Sequence, residues 1–248
     1  MKLLKSWLKT EEVEFLCEQE DFGVISEPIP ARKFMPEWFK QLHPKVGNED
    51  KLNNATIKRC APFLDAMSVG WIIPLAADVE FITNEDGSGV SYKWMHGKIM
   101  VENHQQNQLN PEKGPMHPSM PKPPMKFLNY WYIKIPKDYS ALFVSPLNRP
   151  DPRFQCISGL VDDGYMGNDA LEYINFPFFF TQVNYTGIIK AGTPLVQMIL
   201  IKRDDVLTSS RKTNVKIVDK QTSDLIGLTR RRRAAQPSYY REKLWQRK

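Results

Sequence analysis

Between residues 60 and 203 the apolar residues come in short runs, each cut off by Gly, Pro, Asn or Asp before it is long enough for a stable helix. Runs of that length bury their side chains only as strands among other strands, so this texture restricts the chain to a sheet-rich fold. The first block holds residues 69–74, 79–83 and 90–94. Phe81 and Ile82 before the Asn-Glu-Asp-Gly-Ser-Gly turn at 84–89, with Val90, Tyr92 and Trp94 after it, predict a β-hairpin. A second block holds strands at 127–135, 140–144, 154–157, 171–176 and 195–201. No helical periodicity intervenes, so antiparallel pairing is expected rather than βαβ units. The expected fold class is mainly β, with an antiparallel β-clip, barrel-like or sandwich core, short N-terminal helices and a basic C-terminal tail.

Three segments follow from the same reading. Residues 1–59 form an N-terminal docking segment, with helical spacing of Leu3, Leu4, Trp7, Leu8, Val13, Phe15 and Leu16, a break at Glu27-Pro-Ile-Pro30, and a short helix over 35–42 that presents Trp38, Phe39 and Leu42. Residues 60–203 form one all-β domain, interrupted by a polar, Pro-rich loop at 105–125. Residues 204–248 are the tail. The net charge of +6 sits there: from residue 202 onward 14 Lys and Arg face 5 Asp and Glu, and the preceding residues sum to −3. Arg230, Arg231, Arg232 and Arg233 are read as part of an extended stretch, with a short helix through Tyr240 to the region of Trp245.

Composition also narrows the function classes. Cys17, Cys60 and Cys156 are scattered without CxxC spacing, so the residues argue against a zinc ribbon or a disulfide framework. No apolar run approaches the roughly 18–20 residues of a spanning helix, and the N-terminus lacks the pattern of a secretory leader. A cytoplasmic location with no membrane partner is expected.

The residues with most chemistry in their pattern are Gly159-Leu-Val-Asp-Asp-Gly-Tyr-Met-Gly167. A strand ending in a carboxylate, a glycine bend and an aromatic ring make a shallow cradle in which the carboxylate accepts from a sugar hydroxyl or a water and the ring stacks on a ribose face. The simpler alternative makes the Asp-Asp-Gly a hairpin turn and Glu172 a solvated strand residue. Both readings stay open on the residues alone.

This order of residues resembles the deoxyuridine triphosphatase and deoxycytidine triphosphate deaminase superfamily, over about residues 126–203. The resemblance implies that Asp162 holds the 3′-hydroxyl or a catalytic water, that Tyr165 crowds the ribose 2′ position, and that Gly159 and Gly167 line the deoxynucleoside. It implies a proton shuttle in Glu172, in a Leu-Glu-x-x-Asn strand that ends at Asn175. It also implies Ser145 and Arg149 as the groups that position water and hold charge, and Gln197 as a residue facing phosphate or base. An active member would be a deoxynucleotide deaminase without a metal, or a nucleotide diphosphohydrolase needing Mg²⁺, in a homo-oligomer such as a trimer. The family's Arg-Ser-Ser or Arg-Ser-Gly phosphate sequence is replaced here by Pro146-Leu-Asn, and its Gly-rich C-terminal cap has no counterpart.

The whole chain also resembles a family of bacterial and tailed-phage proteins that share the blocks at residues 126–131, 146–149, 175–178 and 192–197. That likeness names no activity; it implies phage encoding, with the host cytoplasm or the virion as the setting, and leaves a non-catalytic assembly or interaction protein as the alternative function. His96, His104 and His117, with Glu102, fit neither a facial triad nor a zinc signature, so no metal is expected there. His43 is a capping or surface residue. The run Arg230 to Arg233 suits an acidic partner or nucleic acid, with Tyr239, Tyr240 and Trp245 available to stack.

Overall fold

A computed structural model describes residues 12–47, 54–104, 124–162, 173–203, 217–235, 242, 243 and 245. Among them the chain is mainly antiparallel β. The N-terminal part contributes β1 (Glu14–Leu16), β2 (Ile29–Pro30), the 3₁₀ turn η1 (Ala31–Lys33) and α1 (Glu37–Gln41). There follow η2 (Ile57–Arg59), α2 (Ala61–Ser68), β3 (Trp71–Pro74), β4 (Val79–Thr83), β5 (Val90–Trp94) and β6 (Val101–Asn103). After them come β7 (Met125–Phe127), β8 (Tyr132–Lys134), β9 (Tyr139–Val144), β10 (Phe154–Cys156) and β11 (Gly159–Asp162). The series ends with β12 (Phe176–Phe180), β13 (Thr186–Ile189), β14 (Pro194–Lys202) and α3 (Lys220–Ala235).

The strands assemble into four sheets, ordered β11-β9-β14-β3-β2, β10-β12-β7-β6, β13-β4-β5 and β1-β8. The hairpin read from the turn sequence is β4–β5, with Phe81 opposite Tyr92 and Val79 opposite Trp94. Its loop is closed by Asn84, whose Oδ1 accepts from Gly89 N at 3.0 Å. The core lies between sheets and is dominated by phenylalanines. Phe127 stacks on Phe178 at 3.7 Å, Phe81 stacks on Phe180 at 4.7 Å, and Phe154 meets Phe127 edge-on at 5.2 Å. Each such ring pair adds about 0.5–1.5 kcal/mol to what area burial alone supplies.

Several elements differ from the expectation, each for a local reason. Within the described residues 12–24 the chain forms β1 and turns rather than a helix, because Phe15 packs on Trp71 and the strand pairs with β8. The run 127–135 is not one strand. Asn129 donates from Nδ2 to Trp131 O at 2.9 Å and accepts Trp131 N on Oδ1 at 3.2 Å, and these local bonds take the place of ladder bonds and separate β7 from β8. The strand expected at 171–176 begins only at Phe176. The helix α2, with Pro62 in its first turn, lies inside the segment read as all-β. The arginine run expected in an extended stretch is helical: Arg230 to Arg233 sit on α3.

The five-stranded sheet positions the candidate site. Ala141, Phe143, Val196 and Met198 turn to the phenylalanine core. By strand alternation and the register, Ser140, Leu142, Val144, Leu160, Asp162 and Gln197 share the opposite face. There η1, α1 and α2 form a helical layer over the Gln197 end, around the buried side chains of Ala31, Phe39, Ala61, Met67 and Ile72.

Candidate functional site

β11 is an edge strand, paired only with β9 among the described residues. Its last residue, Asp162, lies opposite Ser140, and the Ser140 hydroxyl donates to Asp162 Oδ1. Ser140 is fully buried while Asp162 is exposed. The serine thus fixes the rotamer of a carboxylate whose Oδ2 has no partner among the described residues. The described chain resumes at Tyr173, which is also anchored. The Tyr173 ring stacks on Tyr132 at 4.2 Å and its hydroxyl donates to Glu18 Oε1 at 3.2 Å. Glu18 is in turn held by Lys98, at 2.8 Å, and Lys98 also pairs with the buried Asp21 at 2.7 Å. The Lys98 ammonium keeps the Glu18 carboxyl below the ordinary range, and burial raises the Tyr173 phenol.

The other residues singled out by the sequence divide into separate places. Tyr165, Gly167 and Glu172 lie outside the described residues. Gly159 opens β11 in exposed backbone, where an added Cβ would meet nothing within 4 Å. Asn175 accepts from Asn129 N on Oδ1 at 3.1 Å, at the break between β7 and β8.

Arg149 and Gln197 meet each other in a buried hub. Gln197 is fully buried, and its Nε2 donates to Ala66 O at 2.9 Å and Val69 O at 2.7 Å. Its Oε1 accepts from Leu147 N at 3.1 Å and from Arg149 Nη2 at 3.3 Å. Arg149 Nη2 also donates to Met67 O at 2.7 Å, and Nη1 donates to Ala31 O and Phe34 O. These acceptors are all neutral, and burial pushes the guanidinium down to about 10. Both side chains therefore knit η1, α2 and β14 together.

Ser145 lines a cleft of about 370 Å³, together with Pro150, Asp151, Pro152, Gln155 and Thr181. Its hydroxyl donates to Cys156 O at 3.1 Å. Asp151 is occupied on both oxygens by Arg153, through Nε at 2.9 Å and Nη2 at 2.6 Å, so the cleft carries no uncompensated charge.

The geometry thus separates what the sequence grouped. Along β9, Ser140 and Val144 are four residues apart, or about 13 Å. Asp162 pairs at the first and Gln197 at the second, so the carboxylate and the hub lie at opposite ends of one sheet face. The sequence reading missed Ser140, whose signal was a hydroxyl within the run Ser140-Ala-Leu-Phe-Val, in strand alternation with Leu142 and Val144. Among the described residues no three His, Cys, Asp or Glu are grouped so as to hold a metal ion. No helix among them is long and apolar enough to cross a membrane. No protein-family model and no curated protein matches the chain.

Proposed function

We infer that the protein binds a deoxynucleotide at the Asp162 end of β11, and that it acts there as a binder rather than a deaminase. The observation that carries this reading is the Ser140–Asp162 pair: a buried hydroxyl orients an exposed carboxylate that belongs to the glycine-bounded motif. An oriented carboxylate with an oxygen that no described residue occupies suits a sugar hydroxyl, and a nucleotide-binding motif with this Asp is what the superfamily resemblance implies. Arg149 weighs against deamination, since its guanidinium is engaged with neutral oxygens about 13 Å along the sheet from Asp162. A homo-oligomer belongs to the same reading, because among the described residues edge strand β11 has a partner on one side of its ladder only, as pairing with another chain requires.

The test is a thermal-shift series with each deoxynucleotide and its ribonucleotide counterpart, on the native protein and on Asp162→Asn. The expected result is stabilisation by at least one deoxynucleotide, weaker with the ribonucleotide, and lowered about tenfold in affinity by the substitution, the size of one hydrogen bond to a charged group. No shift with any nucleotide overturns the reading.

A second reading is supported by α3. Arg230, Arg231 and Arg232 are exposed on a helix of low apolar content, as an acidic partner or nucleic acid held through the arginine run requires.

A further inference from the structure

Charge along the chain is segregated more sharply than its total shows. Residues 31–68 carry seven Lys and Arg against four Asp and Glu, while the remainder of residues 1–201 carries thirteen against nineteen. The basic stretch is the one that builds the helical layer: Arg32 and Lys33 are on η1, Lys40 on α1, Lys58 and Arg59 on η2. Specific interactions make these one surface. Lys58 Nζ donates to Lys40 O at 2.7 Å and lies 6.0 Å from the centre of the Phe39 ring. Arg149 binds η1 to α2 through Ala31 O and Met67 O.

Among these cations stands Trp38, 47% exposed, with its ring set edge-on against Phe39 at 5.5 Å and Phe63 at 6.4 Å. Ile57 beside Lys58 is 41% exposed. A large ring left half in water but immobilised by two others has little rotamer entropy left to lose when a flat partner covers it. The C-terminus reaches the same layer. Trp245 Nε1 donates to Asp65 Oδ2 on α2 at 2.7 Å, which occupies one of the layer's acidic groups.

We propose that this helical layer binds single-stranded nucleic acid, neutralising its phosphates and stacking a base on Trp38. Cations spaced around a rigid exposed ring match a polyanion that also offers unpaired flat faces. Duplex DNA keeps its base faces stacked inside, and an acidic polypeptide has none to offer, so either would leave Trp38 unused. The surface is distinct from the Asp162 site, and neither reading rests on the other.

The experiment is fluorescence anisotropy with the full-length protein and labelled oligothymidylate or oligouridylate of roughly 15 nucleotides across a salt series, a length that covers one such site. Duplex DNA of equal charge and polyglutamate are the competitors. The expected result is tighter binding of either single strand than of duplex or polyglutamate, by about tenfold, with Trp38→Ala weakening the single strand about tenfold at an unchanged salt slope. Substituting the exposed Lys33→Gln together with the half-buried Arg59→Gln lowers the slope of log K against log salt by about 0.7 for each phosphate that is no longer neutralised. Equal binding of duplex or polyglutamate overturns the proposal. So does a natively folded Trp38→Ala with unchanged affinity; should that variant misfold, an unchanged salt slope in the Lys33→Gln, Arg59→Gln protein overturns it equally.

Discussion

The Gln197 amide closes four hydrogen bonds where water has no access, two as donor and two as acceptor. Gln197→Leu keeps much of the volume but strands the carbonyls of Ala66 and Val69 and the Leu147 N–H, each a buried polar group that costs about 1–3 kcal/mol when unpaired. The expected loss is about 2–4 kcal/mol in urea-induced unfolding, with nucleotide binding by the remaining folded protein unchanged; a loss below about 1 kcal/mol contradicts the hub. The same residue shows the limit of the sequence at this scale. A lone amide in an apolar strand has one signature whether it meets a ligand or the backbone of another element, and α2, which receives it, was not visible as a helix. The strand ending at Asp162 was legible because its apolar run and the Asp and Gly that follow it are local in sequence. Ser140, which orients the Asp162 carboxylate, is a strand neighbour twenty-two residues away in sequence, and nothing in the linear order pairs the two.

Elements whose pairing is local were the readable ones. β4 and β5 flank a turn whose Asn and Gly residues close it, with Gly87 at φ +68, and alternation on either side fixes the register. Where a strand is defined by distant partners, the boundaries escaped: β8 pairs with β1, and β12 lies between β10 and β7. Gly70, between α2 and β3, shows how tightly such elements meet. Its φ is +72, and an added Cβ would stand 1.9 Å from Met198 O on β14. Gly70→Ala therefore combines left-handed strain with a backbone clash, and is expected to cost roughly 2–4 kcal/mol. The measurement is thermal unfolding together with amide exchange on β3 and β14, in which protection drops along both strands. A variant with native stability and exchange shows that the two strands do not approach so closely.

At the scale of the whole molecule, the mainly antiparallel architecture was legible in the spacing of apolar runs, and the sheet partnerships were not, because they depend on which faces meet in space. Charge tells the same story in another form: the sequence showed a basic tail, but the basic helical layer emerged only once η1, α1 and η2 were seen together. The arginine run on α3 is testable in the intact chain. Replacing Arg230 to Arg233 by Gln removes four positive charges, and if the run holds a polyanion, the salt dependence of binding falls by up to about 0.7 per arginine. An unchanged salt dependence assigns those arginines to solvent. A last consequence comes from the order of the largest sheet. β14 lies between β9 and β3, so the strand at the sheet's centre is the last of the fourteen among the described residues to leave the ribosome. Until residue 202 has been synthesised, β9 and β3 each wait with an unfilled ladder edge. Folding of this body is therefore tied to completion of translation through that strand, and a chain stalled earlier presents two adhesive edges to its neighbours.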